Sequence, residues 1–139
     1  MEDASIIEHY KSTHYYVDGI DEPIMIGRIS PQIDALLQSH SLNQWAYITA
    51  YNPMSRPCTN HENEERNRAL RSLLDEYLVI EGKGIGMNRE WPAEHSFFIG
   101  GITLDAAVKL AIQFEQRAIV YGILHQKAEL IITIPDKYV

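Results

Sequence analysis

The stretch Trp45-Ala46-Tyr47-Ile48-Thr49-Ala50 is the part of the sequence that decides the fold. It carries apolar or aromatic residues at both alternating positions, which is the pattern of a strand covered on both faces inside a sheet. Asn52-Pro53 follows and ends the strand, because proline donates no ladder hydrogen bond and biases the preceding residue away from helix. We therefore expect a central strand whose polar end opens into a loop.

The segments on either side of this strand predict further strands and helices. His14–Val17 has the composition of a strand, and Ser30-Pro31 marks the start of a short helix. Thr59 has the spacing of a capping box with the glutamate three residues on, and Thr103 caps another helix. Further strands are predicted at 78–80, 96–99, 118–124 and 128–134, and Gly82–Gly86 is predicted to be a loop.

The order of these elements indicates an α+β fold. From Trp45 onward it runs strand, helix, strand, strand, helix, strand, strand, which contains the split β-α-β unit of ferredoxin-like folds. We expect a mostly antiparallel sheet with the helices packed on one face, extended at the N-terminus by a strand and a helix. A chain of 139 residues without repeats or linkers is expected to form one domain over residues 1–139.

Composition and charge argue against several classes of protein. Hydrophobic residues make up 45% and charged residues 22%, as in ordinary globular domains. The net charge of −7 repels a phosphate backbone, so duplex DNA is not an expected partner. Cys58 is the only cysteine, which fits a reducing compartment. An acidic start and the lack of a run of about 20 apolar residues predict a cytoplasmic protein outside the membrane.

Several landmarks of the chain form one recognisable pattern, of which Thr49-Ala50-Tyr51-Asn52-Pro53 is the most distinctive. The others, within residues 10–121, are Thr13-His14-Tyr15, Asn63, Gly86, Trp91, Glu94, Ser96 and Phe114-Glu115-Gln116-Arg117-Ala118. Together they resemble one bacterial family, the domain of unknown function 3293, in which glycine and asparagine are frequent where this chain has Glu115 and Arg117. The resemblance implies a bacterial or phage origin and a shared polar cluster, but no activity.

Polar residues at or near the ends of the predicted elements form the expected site. Glu94 and Ser96 would point to one face of their strand and His95 to the other. Desolvation of the Glu94 carboxylate beside Trp91 would suit it to general acid–base catalysis. The expected binding residues of this group are Thr49, Asn52, Asn63, Trp91, Ser96 and Gln116.

Each of the main candidates also has a purely structural interpretation. The Asn52 amide can cap a turn by bonding to its own backbone. Glu94 can be an edge charge in water, and Gln116 can satisfy free carbonyls at the end of a helix. The sequence leaves both interpretations open for all three residues.

Arginine and histidine side chains are further candidates for ligand contacts. Arg56 and Arg89 have no carboxylate partner nearby in sequence, and arginine matches phosphate bidentately, so both are candidate ligand-binding residues. The six histidines are scattered without the spacing of a metal site. We therefore expect neither a metal nor a cofactor.

Three functions remain open at this point, and the sequence does not decide whether the protein is an enzyme. The first is a domain that binds or acts on a small polar molecule, such as a nucleotide or its fragment, with Glu94 as the catalytic candidate. The second is a protein-interaction module, regulatory or related to phage and host, that binds a partner protein or a second copy of itself. The third is a metal-free hydrolase in which Glu94 is the base and Arg56 or Arg89 holds a phosphate.

Overall fold

The computed structural model describes residues 3–87 and 92–135, with side chains from residue 5 onward. Its helices are α1 (Asp3–Ser12), α2 (Pro31–Ser39), α3 (Asn60–Arg71) and α4 (Leu104–Gln113), with a short 3-10 turn at Pro53–Ser55. Its strands are β1 (His14–Val17), β2 (Gln44–Ile48), β3 (Leu78–Ile85), β4 (Glu94–Gly100), β5 (Ala118–Ile123) and β6 (Glu129–Ile132). They form one sheet in the order β1-β3-β4-β2-β5-β6, and each of these pairings is antiparallel.

β2 lies inside the sheet, as the sequence predicts. It pairs with β4 on one side and with β5 on the other. Trp45 and Tyr47 pack into the core on one face, Ala46 and Ile48 pack into the core on the other, and all four are buried. The aromatic and aliphatic pattern of this strand therefore correctly predicts its position inside the sheet.

Helices lie on both faces of the sheet, which corrects one part of the predicted architecture. α3 and α4 pack against the face of Ala46 and Ile48, whereas α2 packs Ile33 and Leu37 against the opposite face. That second face carries the large aromatic side chains of β2, which need an apolar cover of their own. The α+β class and the antiparallel sheet are confirmed, and the ferredoxin-like topology stays a prediction.

The predicted starts of three helices are confirmed. The hydroxyls of Ser30, Thr59 and Thr103 each accept a hydrogen bond from the backbone N–H three residues further on. Thr59 and Glu62 form the complete capping box. Within the part of the chain that the structure describes, no helix is long and apolar enough to cross a bilayer. A cytoplasmic location stays a prediction.

α1 is a helix that the sequence analysis did not predict. It buries Ile6, and its end is fastened to the following strand. Thr13 Oγ1 donates to the carbonyl of His9 at 2.6 Å, and Tyr15 Oη donates to the carbonyl of Tyr10 at 2.7 Å. These two bonds fix the last turn of α1 above the sheet.

β3 continues to Ile85 through a glycine-rich segment that was predicted to be a loop. Gly82 pairs with Val17 of β1. A Cβ at Gly82 would overlap the carbonyl oxygen of Tyr16 and lie 2.9 Å from Tyr47 Oη. The glycine is therefore needed for close approach of two strands and does not mark a turn.

Candidate functional site

A cavity of about 140 Å³ lies between α1 and the sheet, beside the end of β2. Its roof is formed by residues of α1, and its floor by residues from the ends of β2, β4 and β5. The apolar and aromatic walls include Ile6, Tyr10, Tyr15, Tyr47, Ile119 and Val120. Its polar lining includes His9, Thr13, Thr49, Asn52, Ser55, Glu94, Ser96, Gln116 and Arg117.

Glu94 is held in place at this cavity by Asn52. Asn52 Nδ2 donates to Glu94 Oε2 at 2.8 Å. Because alternate residues of a strand face the same side, Ser96 also lines the cavity, whereas His95 lies on the other face near Glu81 and Glu64. The structure thus places a partly buried carboxylate on the cavity side of the sheet, as the alternation in sequence indicates.

Asn63 lies behind Asn52 and does not line the cavity. Asn63 Oδ1 accepts from the backbone N–H of Asn52 at 2.8 Å, and Asn63 Nδ2 donates to Asn52 Oδ1 at 3.0 Å. The same Oδ1 accepts from the backbone N–H of Cys58 at 3.1 Å. The Asn52 amide therefore closes the loop up to Cys58 rather than bonding to its own backbone, and Asn63 positions it.

Thr49 and Ser96 line the cavity but donate their hydroxyl protons to the backbone. Thr49 Oγ1 donates to the carbonyl of His95 at 2.7 Å and accepts from the backbone N–H of Tyr51 at 3.1 Å. Ser96 Oγ donates to the carbonyl of Glu94 at 3.0 Å. Both hydroxyls therefore stabilise the ends of β2 and β4 in the conformation that presents Glu94.

Gln116 and Arg66 fasten the end of β2 to the end of α4. Gln116 Nε2 donates to the carbonyl of Tyr51 at 2.9 Å and to that of Phe114 at 3.2 Å. Arg66 donates from Nε to the carbonyl of Ala50 at 2.8 Å and from an Nη to that of Phe114 at 2.6 Å. Gln116 thus serves the helix end, as its structural interpretation suggests, and also faces the cavity.

Arg117 is a cation at the cavity that was not predicted from the sequence as a site residue. The residue is only 3% exposed, and its Nε lies 3.5 Å from the carbonyl oxygen of Ile134, to which it donates. A buried guanidinium requires compensation by anionic or carbonyl oxygens. A charged residue immediately ahead of the apolar run Ala118–Tyr121 is the signal that could have identified it.

Tyr10 and His9 were missed because α1 was not predicted. Burial raises the pKa of Tyr10, the negative charge of Glu94 raises it further, and the positive charge of Arg117 lowers it. Burial lowers the pKa of His9. The Tyr10 phenol therefore stays protonated at neutral pH, and it lies within electrostatic reach of both Glu94 and Arg117.

Comparison with known proteins places the chain in a family. The sequence model of the family described as Protein of unknown function (DUF3293) matches residues 48–119, which is just over half of the chain. The chain belongs to this family. No curated protein and no solved structure matches it. The matched part of this DUF3293 protein contains Asn52, Glu94 and Gln116, whereas α1 lies outside it.

The backbone at the cavity rim of the DUF3293 protein is left-handed at several non-glycine residues. Asn52, Met54 and Ser55 have φ angles of 49°, 55° and 60°, and Glu115 has a φ of 57°. The backbone N–H of Met54 donates to the carbonyl of Glu115 at 2.7 Å, which joins the two segments. Such conformations are costly and persist where the surrounding structure fixes them, often at functional sites.

The remaining predicted residues do not lie in the described part of this site. Arg56 is exposed, and it does not line the cavity. Trp91 and Arg89 are outside the described residues, so the predictions for them are neither supported nor contradicted. Among residues 5–87 and 92–135, no group of three or more histidine, cysteine, aspartate or glutamate side chains is arranged to hold a metal ion.

Proposed function

We propose that this DUF3293 domain binds a small polar molecule in the cavity beneath α1, with Glu94 as its main polar contact. The observation that carries the proposal is the convergence of Glu94, Asn52, Gln116 and Arg117 on one small, largely apolar cavity. Concave sites with aromatic walls and a few fixed polar groups are the usual form of small-molecule sites. If the domain is an enzyme, Glu94 is the candidate base.

The size of the cavity limits what it can enclose. Its volume is about 140 Å³. An apolar protein cavity of about 150 Å³ holds a benzene ring. The enclosed part of the ligand is therefore one ring or an aliphatic group of similar size. Of a nucleotide, only the base would be enclosed, and the sugar and phosphate would lie at the rim.

The rigidity of the polar groups supports binding over a role in folding alone. Glu94 is held by Asn52, and Asn52 is held in turn by Asn63 at two atoms. A carboxylate whose position is fixed before the ligand arrives loses little conformational entropy on binding. Glu94 is therefore a preorganised hydrogen-bond acceptor at the cavity wall.

A thermal-shift screen tests this proposal. Polar fragments, nucleobases, nucleosides and nucleotides would be screened against the wild type, Glu94→Gln, Asn52→Ala and the control Glu129→Gln, which changes an exposed carboxylate of β6. A ligand at about 100 times its Kd stabilises the protein by about 2.7 kcal/mol. We expect this stabilisation to persist in Glu129→Gln and to fall in the two site variants.

Glu94→Gln is the more informative of the two site variants. Its amide oxygen can still accept the hydrogen bond from Asn52, so the fold should be retained while the charge is lost. Equal ligand-induced shifts in the wild type, Glu94→Gln and Asn52→Ala would contradict the proposal.

A further inference from the structure

We infer that the ligand of this cavity carries a flat six-membered ring that lies against the backbone of Gly84, and that Gly84 determines which ligands fit. This inference rests on the proposed function, because it assigns a ligand class to the same cavity. It adds Gly84, which lines the cavity but takes no part in that proposal.

Three glycines occupy every second position along the second half of β3 and just beyond its end. Side chains at these positions would all point to the same face of the sheet. A Cβ at Gly82 would overlap the carbonyl oxygen of Tyr16. A Cβ at Gly86 would lie 2.9 Å from Cε1 of His9 in α1. Close approach of β1 and of α1 therefore explains these two glycines, but it does not explain Gly84, which lies between them.

Packing among the described residues leaves room for a side chain at Gly84. A Cβ there would lie 3.7 Å from Cγ2 of Thr13 and 3.7 Å from Cδ1 of Tyr15, which is ordinary van der Waals contact. Gly84 also lacks the left-handed backbone that is another common reason for glycine. Because glycine inside a strand is less stable than alanine, a further reason is needed. Close approach of a ligand to the backbone is a recurring one.

Gly84 lies between Tyr15 and Glu94 in the sheet. It pairs with Tyr15 of β1 on one side and with Glu94 of β4 on the other. Cα atoms of residues paired in this way are about 4.5–5.5 Å apart, and their side chains lie on the same face. All three residues line the cavity. A ring that lies over Gly84 is therefore next to the carboxylate that the proposed function uses as its main polar contact.

The walls around Gly84 favour a flat ring over an aliphatic group. The rings of Tyr15 and Tyr47 both line the cavity, and they pack edge to face with their centroids 5.3 Å apart. Both hydroxyls donate to backbone carbonyls, which holds the two rings in place. A third ring can join such a pair through offset-stacked or edge-to-face contacts. The volume of about 140 Å³ is close to that of a protein cavity that holds benzene.

The test is a calorimetric titration of the full chain with matched pairs of probes. Phenol would be compared with cyclohexanol, and uracil with 5,6-dihydrouracil. The two members of each pair present similar polar groups on a six-membered ring, which is flat in the first compound and puckered in the second. The tightest flat compound from the fragment screen would be compared with its saturated analogue in the same way. We expect at least one flat probe to bind about fivefold or more tightly than its partner.

Gly84→Ala tests where the ring lies. The added methyl group fits against Thr13 and Tyr15, so the variant should fold, but it occupies the surface on which the ring is placed. We expect the flat probe to bind at least about tenfold more weakly to Gly84→Ala than to the wild type. The control Lys83→Ala changes the adjacent exposed residue, whose side chain lies on the other face of β3, and should leave binding unchanged.

A crystal of the wild type soaked with the same flat probe decides the matter if Gly84→Ala fails to fold. We expect the ring at van der Waals distance from the Cα of Gly84, which is about 3.5–4.0 Å between carbon atoms. A ring bound elsewhere, out of contact with Gly84, would overturn the inference.

The remaining outcomes separate this inference from the proposed function. Equal binding of each flat probe and its saturated partner, or equal binding of the flat probe to the wild type and Gly84→Ala, would overturn the inference and leave the proposed function standing. So would a ligand without a flat ring that binds more tightly than any flat compound and loses affinity in Glu94→Gln. If neither these probes nor the broader fragment screen gave any binding, both would be rejected.

Discussion

Asn52 connects the cavity, the following loop and α3 through one side chain. Its amide nitrogen donates to Glu94, and its amide oxygen accepts from Asn63 and from the backbone of Cys58. Its φ of 49° is one that asparagine tolerates better than most residues. The residue type is thus set by backbone conformation and by hydrogen bonding together.

Asn63 provides a test of this arrangement that leaves the cavity lining unchanged. Asn63→Ala would leave the partly buried N–H of Asn52 without its partner, and we expect a loss of about 1–3 kcal/mol in the free energy of unfolding. The matched control is Asn60→Ala, at the exposed start of the same helix, which should change stability by no more than about 0.5 kcal/mol. Urea unfolding measures both, and equal losses would contradict the positioning role.

The buried tyrosines predict a characteristic dependence of stability on pH. Burial raises the pKa of Tyr10, Tyr15 and Tyr47 above the ordinary value of 10.0. Above that pH the unfolded chain releases these protons while the folded protein retains them, so unfolding is favoured as pH rises. Below it both states are protonated, and these groups add no pH dependence.

Unfolding experiments at alkaline pH check whether stability falls as the pH rises. Between about pH 10 and pH 12, stability should fall by up to about 1.4 kcal/mol per pH unit for each such tyrosine. Tyr15→Phe removes one titrating group and should make the slope shallower, even though it also removes the bond to the Tyr10 carbonyl. An unchanged slope in Tyr15→Phe, or tyrosinate absorbance that appears before unfolding, would argue against buried, protonated phenols.

At the scale of elements, β3 shows how a glycine-rich segment can be a strand. The segment that contains Gly82 and Gly84 looks like a loop in sequence, because glycine is a poor strand former. The deciding factor is the approach of β1, which leaves no room for a Cβ at Gly82. The strand propensity of each residue cannot reveal that contact, because the contact depends on Val17, which pairs with Gly82 from 65 positions earlier in the chain.

The two glycines of β3 are a matched pair for testing this explanation. Gly82→Ala would force the carbonyl of Tyr16 away and should cost about 2–4 kcal/mol of stability. Gly84→Ala, on the same face of the strand, meets nothing nearer than 3.7 Å and should change stability by about 1 kcal/mol or less. Chemical denaturation of the two variants measures the two losses of stability. Similar costs at both positions would mean that close packing at Gly82 is not the reason for its identity.

Elements with strong local signals were predicted well, and the others were not. β2 was identified by its two apolar faces, and three helix starts by their capping hydroxyls. α1 was missed because it buries Ile6 but shows little amphipathic periodicity of its own. The cover on the second face of the sheet was missed as well, because packing of α2 there depends on tertiary contacts that no local pattern records.

At the scale of the whole molecule, the sequence predicted only some of the residues that line the cavity. Thr49, Asn52, Glu94, Ser96 and Gln116 lie together at the cavity because they share the ends of neighbouring elements in an antiparallel sheet, as the sequence suggested. His9, Tyr10 and Arg117 complete the enclosure, and only the folded chain brings them there. Asn63 lies behind Asn52, outside the cavity lining, and acts on the site by positioning Asn52, whereas Arg56 does not line the cavity.

A crystallographic screen of the protein with small polar fragments decides whether the cavity beneath α1 is a ligand site. We expect fragment density inside the cavity, under α1, with a polar atom within hydrogen-bonding distance of Glu94. Density restricted to other surfaces, with this cavity occupied by its own side chains in every crystal, would contradict it.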